Sequence, residues 1–314
     1  MFMGKSNNRV AAVLVTYNRV ELLQRAIKSL LEQSVAVDYI VVVNNNSTDG
    51  TRNYLDDIHD SKIKSIHLPV NTGGAGGFNA GMSYAHELNV DFIWIMDDDA
   101  IATPYALSEL INSSLMLSEK MVDWGFLCSH VLSDDGECMN VPSISSKVNS
   151  TGYLDWPAFA CDGVIGVDKA TFVSVFLKTE TVSQVGLPLK EMFIWGDDTE
   201  YTWRISNHFK CYYVSKSIVY HKRVLARALS LREENNTNRI KWFGYLFRNN
   251  IYNIRRYGNA KELLLYIFFI FRVFIGLLFK PSKYKFTKIK VLAGGLIHGF
   301  TFNPKVDFPK LRKF

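Results

Sequence analysis

Three consecutive aspartates, Asp97, Asp98 and Asp99, follow the apolar run FIWIM. Adjacent carboxylates repel one another unless a cation sits among them. Hard divalent cations such as Mg²⁺ or Mn²⁺ are bound by one or two carboxylates together with phosphate oxygens. A solvated acidic turn is the plainer reading; the apolar strand leading into the triplet favours a metal. A second acidic set lies in FIWGDDTEY, residues 193–201, where Asp197, Asp198 and Glu200 stand beside Trp195. Paired acids flanked by rings suit a carboxylate placed beside a sugar, acting as general base towards a hydroxyl. Acids at a helix N-terminus are also favoured by the macrodipole alone, and both readings can hold together. His221, in VYHKR, ends another apolar run. A lone histidine is more often structural than a ligand, so on its own it is a weak candidate for a third metal ligand.

The run NTGGAGGFNAG, residues 71–81, is the remaining candidate, with Gly74 and Asn79 inside it. Glycines let backbone approach a ligand closely, and a helix N-terminus favours phosphate. A tight turn with close helix–sheet packing explains the same residues. The run is not a dinucleotide fingerprint, because it follows a later strand and Asn79 takes the place of the last glycine. It lacks the Gly-Lys-Ser/Thr of a Walker loop.

Strands and helices must bring these groups together. Residues 10–16 and 39–43 are apolar, β-branched runs of strand length, 66–68 read as a short third strand, and 92–96 as a fourth. Between them, Asn18 with Glu21 reads as a capping box opening a helix. The glycine run leads into a helix reaching about His86, and Thr103–Pro104 starts another with proline at its first position. Alternation of this kind predicts an open α/β sheet whose ligands sit at the carboxyl ends of its strands. Residues 16–18, 44–49 and 97–99 fall there. Residues 120–220 read as mixed α+β, and from about 238 the chain turns helical, basic and aromatic. Two parts are expected: a catalytic domain over 1–237 and a C-terminal region over 238–314.

Hydrophobic residues make up 48% of the 314 and charged residues 21%, as in an ordinary globular protein. Residues 1–10 hold no apolar run, and the four cysteines form no CxxC pair, so reduced thiols and a cytoplasmic protein are expected. Residues 1–220 carry 16 Lys and Arg against 26 Asp and Glu, a net −10; residues 221–314 carry 20 against 4, a net +16. A basic tail on an acidic body calls for an anionic partner. Residues 263–279 (LLLYIFFIFRVFIGLLF) are almost continuously apolar, short for a span and interrupted by Arg272. Lys280, Lys283, Lys285, Lys288 and Lys290 follow. An interfacial helix on an anionic membrane fits better than a buried core helix or a single span. No nucleic-acid-binding signature accompanies the charge.

Taken in order, VLVTYNR, VVVNNNSTDGT, NTGGAGGFNAGM, FIWIMDDDA and FIWGDDTEYTWR resemble the family 2 glycosyltransferases of GT-A fold across about residues 9–225. The resemblance implies an α/β, Rossmann-like open sheet, mostly parallel and flanked by helices, with the basic helical region appended. It implies an inverting, metal-dependent transferase without a covalent sugar intermediate. Asp198 matches the family's base, and Asp97 and Asp99 match its metal contacts, with Mn²⁺ or Mg²⁺ as cofactor. The glycine stretch and WGDD motif look most like galactofuranosyltransferases using UDP-galactofuranose, where a histidine after the acid pair completes the metal site; His221 stands at a matching separation. Rhamnosyltransferases using dTDP-rhamnose share much of the pattern. Many relatives carry Asp where Asn44 stands, at the end of the second strand; an amide still pairs with a base but removes a charge.

On that reading, Thr16, Asn18, Asn44, Asp49, Gly74, Asn79, Asp97 and Asp98 hold the nucleotide sugar. Asp197, Glu200, Trp195 and Trp156 hold the acceptor. The expected partners are a nucleotide sugar, a glycan acceptor (lipid-linked, in cell-surface polysaccharide synthesis) and the inner face of the cytoplasmic membrane, with no nucleic acid. A nucleotidyltransferase would place its phosphate loop directly after the first strand, where TYNRVE stands instead. A glycan-binding protein would have no need for two acidic sets.

Overall fold

The computed structural model describes residues 8–222 and 230–310. Residues 1–7 of the stretch examined for a leader, and Arg223 of VYHKR, lie outside them. The chain alternates β1 (Val10–Thr16), α1 (Val20–Leu31), β2 (Tyr39–Asn44), α2 (Thr51–Asp56), β3 (Ile63–His67), α3 (Gly73–Glu87) and β4 (Phe92–Asp97). Next come β5 (Ala100–Ala102), α4 (Ala106–Glu119), β6 (Trp124–Leu132), β7 (Ser143–Ile144), β8 (Val164–Lys169) and β9 (Ser174–Lys178). They are followed by α5 (Thr179–Val185), α6 (Asp197–Ser206) and β10 (Lys210–His221). Three helices end the chain: α7 (Thr237–Tyr257), α8 (Ala260–Phe279) and α9 (Lys285–Thr301).

The strands order as β3-β2-β1-β4-β9-β6-β10-β8-β7, with β5 pairing β10. The first four are mutually parallel, and β9 enters antiparallel between β4 and β6. Both sheet faces are covered. Val10, Ala12 and Leu14 of β1 pack with α1 and α4, while Ala11 and Val13 pack with Phe78 and Met82 of α3 and Tyr201 of α6. That two-sided burial is why the first strands read as continuous apolar runs rather than alternating ones.

Several local expectations are corrected. Asn18 does not cap α1: it sits in the left-handed region at φ 55°, and its side-chain oxygen accepts instead from the backbone N–H of Thr48 and Asp49. The free Val20 N–H is taken by Asp49 Oδ2, 3.2 Å away, so the cap comes from across the sheet edge. The glycine run is not a turn before a helix but the first turns of α3 itself. A Cβ on Gly81 would lie 2.5 Å from Val13 Cγ1 and 2.9 Å from Val43 Cγ2, so these glycines let α3 lie directly on the sheet. Pro104 precedes α4 by two residues rather than opening it.

The helical region folds back rather than hanging free. α7 and α9 share an apolar cluster built on Ile240, Phe243, Phe247 and Leu292. Trp195, from the loop before α6, packs into the same cluster, with its ring 5.1 Å from that of Phe243. The expected boundary at 237 thus separates two parts that share side chains.

Candidate active site

The carboxyl ends of β1 and β4 open onto a cavity of about 370 Å³. Its walls include Thr16 at the end of β1 and Arg19 beyond it, Gly74 of α3, the aspartate triplet, Trp195, Asp197 and Asp198, His221, and Trp242 of α7. Asp97 ends β4, paired with Val15 of β1, so strand register delivers the triplet to the cavity rim.

His221 arrives by a different route. After Asp99 the chain turns into β5, which runs antiparallel to the end of β10 with Ala100 opposite His221. The Lys222 N–H closes that pairing on the Asp99 carbonyl at 2.8 Å. His221 Nε2 consequently lies 3.1 Å from Asp99 Oδ1, and ligand atoms of Asp97, Asp99 and His221 all fall within 4.8 Å of one another. Asn140 Oδ1 accepts from His221 Nδ1 at 2.9 Å, which turns Nε2 towards the acids. A partner on the far nitrogen is what orients a metal-binding imidazole. Two carboxylates and one imidazole, gathered and oriented in this way, fit a divalent cation.

The triplet is already partly neutralised. Arg19 Nη1 donates to Asp98 Oδ1 at 3.1 Å and to Asp99 Oδ2 at 2.7 Å. Burial pushes the Asp97 carboxyl up to about 7, with the Asp99 charge adding to it. Burial also raises Asp98, to about 6, against the pull of Arg19. Burial acts on Asp99 too, but the His221 hydrogen bond and Arg19 outweigh it and hold this carboxyl below its usual range. Carboxyls raised like Asp97 are a mark of functional sites, because something must compensate them.

The second acidic set opens α6. Gly196, at φ 94°, breaks the chain just before the helix, so Asp197 and Asp198 occupy its first turn. Asp198 Oδ1 accepts from the Thr199 N–H at 2.6 Å. Burial raises both carboxyls, Asp197 to about 8 with the Asp198 charge contributing. Adjacent buried acids of this kind divide their roles, one holding a proton while the other ionises.

Of the expected site residues, Thr16, Gly74, Asp97, Asp98, Asp99, Trp195, Asp197, Asp198 and His221 meet at the cavity. The rest stand elsewhere. Asn44 is buried, with Nδ2 3.0 Å from His67 Nδ1 and Oδ1 accepting from the Ser47 N–H. Asn18 and Asp49 order the loops behind the rim, as described above. Asn79 donates to the Pro188 carbonyl at 2.8 Å. Glu200 is fully buried between Arg204, 3.0 Å away, and the Tyr257 hydroxyl, 2.5 Å away, so it ties α6 to α7 rather than facing a ligand. Trp156 lines a separate small pocket with Lys147 and Asp155. Arg19, Asn45, Asn140 and Trp242 were not foreseen as site residues. Arg19 lies in VLVTYNR, directly at a strand's ligand end, and that position is its signal. Asn140 and Trp242 carried none.

Residues 11–115 match the family described as Glycosyl transferase family 2. Galactofuranosyltransferase GlfT1 of Mycolicibacterium smegmatis is 29% identical over 198 residues, covering 61% of this chain and 63% of that protein. The chain thus spans about three fifths of the length of the curated relatives it matches. Among solved structures, S. aureus TarS 1-349 in complex with UDP-GlcNAc superposes with a TM-score of 0.58 at 14% identity, covering 91% of this chain and 80% of that one. The mannosyltransferase PcManGT of Pyrobaculum calidifontis, in complex with GDP-Man and Mn²⁺, gives 0.52 at 14% identity, covering 93% and 73%. The fold is that of the GT-A glycosyltransferases.

Proposed function

We propose that this chain transfers a sugar from a nucleoside diphosphate to a glycan hydroxyl, inverting the anomeric carbon in a single displacement. The observation that supports it best is the convergence of Asp97, Asp99 and His221 with a separate acid pair, Asp197 and Asp198, on one cavity. Asp97, Asp99 and His221 hold the divalent cation, which when bound supplies a Lewis acid for the charge gathering on the departing diphosphate. An imidazole in the set favours Mn²⁺ over Mg²⁺, which prefers oxygen ligands and water.

Asp198 takes the proton of the acceptor hydroxyl as that oxygen attacks the anomeric carbon. The new C–O bond forms on the face opposite the leaving group, and the old bond's electron pair departs with the diphosphate oxygen. Burial makes Asp198 a stronger base than a solvated carboxylate, and Asp197 retains its own proton near neutral pH and donates to the acceptor. Trp195 offers the acceptor a ring face; Thr16, Gly74 and Asp98 face the donor.

UDP-galactofuranose is the first-choice donor, supported by the mycobacterial relative. A lipid-linked acceptor is supported by α8, whose Leu264, Phe268, Phe271 and Phe279 are 68%, 57%, 55% and 80% exposed. That exposure disfavours a buried core helix. Arg272, Lys280, Lys283 and Lys290 are exposed as well, which suits an anionic membrane surface at the site of polysaccharide synthesis. Lys288 does not join them: it is buried and donates to the Arg232 carbonyl and the Ser282 hydroxyl.

The test is transfer by purified protein with Mn²⁺ or Mg²⁺, a lipid-linked glycan extract and a donor panel including UDP-galactofuranose and dTDP-rhamnose. We expect metal-dependent consumption of one donor, lowered a hundred-fold or more by Asp198→Asn, on the order of what a general base contributes. Glycan binding without consumption of any donor would replace the transferase reading with a binding protein.

A further inference from the structure

The loop that leads into Asp198 is held in an unfavourable shape from outside. Phe193 and Trp195 are both left-handed, at φ 65° and 61°, and Gly196 follows at 94°. Three such residues in four do not persist in a chain left to itself; the surroundings must impose them. One hold comes from α3, where the Ala75 N–H donates to the Phe193 carbonyl at 3.1 Å. The other comes from a row of polar side chains on α7.

Asn249, with no exposed surface, directs Nδ2 at three loop carbonyls: Met192 at 3.0 Å, Ile194 at 3.2 Å and Trp195 at 2.9 Å. Arg248 orients that amide by donating from Nε to Asn249 Oδ1 at 3.0 Å, and it donates from Nη2 to the Glu191 carbonyl at 2.8 Å. One turn on, Asn253 Nδ2 donates to the Gly196 carbonyl at 2.8 Å. The loop carbonyls from 191 to 196 are therefore satisfied largely by one face of a helix outside the strand–helix body. The same helix contributes Trp242 to the cavity wall.

We infer that Asn249, supported by Arg248 and Asn253, is a positioning residue for the reaction: it fixes the 192–196 loop and through it the direction of Asp198. This rests on Asp198 being the base. α7 thereby belongs to the catalytic unit, and the C-terminal region does more than attach the protein to a surface. A general base must lie within hydrogen-bonding reach of the proton it takes, and a misplacement of about 1 Å can lower turnover a hundred-fold. The cation trio hangs on β4 and β10 and does not depend on this loop.

The experiment uses the full chain with Asn249→Ala, Asn249→Gln and Asn253→Ala. Three readouts are taken: hydrogen exchange of residues 192–198, affinity for UDP with Mn²⁺, and transfer kinetics. For Asn249→Ala we expect faster exchange confined to the loop, UDP–Mn²⁺ affinity within about two-fold of wild type, and kcat lower by about a hundred-fold. Asn253→Ala, which removes one bond to the loop, should show the same pattern more weakly, and Asn249→Gln should restore part of the loss. Unchanged loop exchange in both alanine variants would overturn the inference. So would a matched fall in UDP affinity and in protection across α3 and α7, which marks a purely structural residue. A wild-type protein that transfers nothing would refute the transferase reading, and the role of Asn249 in catalysis with it. Loop exchange would then still show whether Asn249 orders the loop.

Discussion

Two alanine substitutions in α3 separate the two explanations of its glycines. At Gly81 an added methyl would sit 2.5 Å from Val13 Cγ1 and 2.9 Å from Val43 Cγ2, where ordinary carbon contacts need roughly 3.5–4.0 Å. Val13 and Val43 are wholly buried β-branched residues on neighbouring strands and have no room to turn aside. Overpacking of this kind costs about 1–3 kcal/mol, against a gain of about 1 kcal/mol from replacing glycine in a helix. Contacts this short put the cost in the upper half of that range, so Gly81→Ala should lose about 1–2 kcal/mol and melt a few degrees lower. At Gly74, among the described residues outside the helix's own backbone, an added methyl would meet Asp197 Oδ2 at 3.8 Å, so Gly74→Ala should leave the melting temperature unchanged or slightly raised. Its methyl enters the cavity, and it should weaken UDP binding or transfer. Thermal unfolding followed by circular dichroism, paired with UDP titration, reads both. A Gly81→Ala protein as stable as wild type would refute the packing account, and a Gly74→Ala protein with full affinity and turnover would remove Gly74 from the site.

Three further outcomes follow from the geometry. Asp97, raised to about 7, holds a proton at pH 6 that Mn²⁺ must displace, so affinity should climb about ten-fold from pH 6 to pH 8 with proton release visible by calorimetry; a flat profile argues against Asp97 as a ligand. Replacing Asn140 by Ala frees the His221 ring and should weaken Mn²⁺ binding by about 10- to 100-fold without unfolding the protein, measured by the same titration. Arg204→Leu leaves Glu200 buried with only Tyr257 as partner and should cost about 3–5 kcal/mol in denaturant unfolding; a loss under about 1 kcal/mol would show that Tyr257 alone suffices.

The sheet and the residues of the candidate metal trio were readable in the sequence, for different reasons. Strands buried on both faces leave runs such as VAAVLVT that no surface segment shows, and the acids follow such a run directly. His221 was legible only through resemblance, because what places it, the register of β5 against β10, leaves no trace in local spacing. Local rules failed where distant groups competed for the same atoms. Asn18 and Glu21 make a plausible capping box until the Asp49 carboxylate accepts from the Val20 N–H and the 48–49 backbone claims the Asn18 oxygen. Asn44 fell one residue short: its amide is committed to His67, while Asn45 lines the cavity and ties Gly73 and Thr72 in place. Nothing in the order of the polar residues of α7 reveals that a strained loop lies against them.

The pairing of β5 with β10 also bears on how the protein comes into being. The triplet emerges early in synthesis, but its nitrogen partner waits on the final long strand, inserted between β6 and β8. A nascent or truncated chain that ends before residue 221 carries three crowded acids and no means of gathering a cation around them. On the proposed reading of the site, metal capture is then a late event that reports a completed sheet. Cation supply in the growing cell should accordingly protect finished molecules from proteolysis without hastening the first steps of folding.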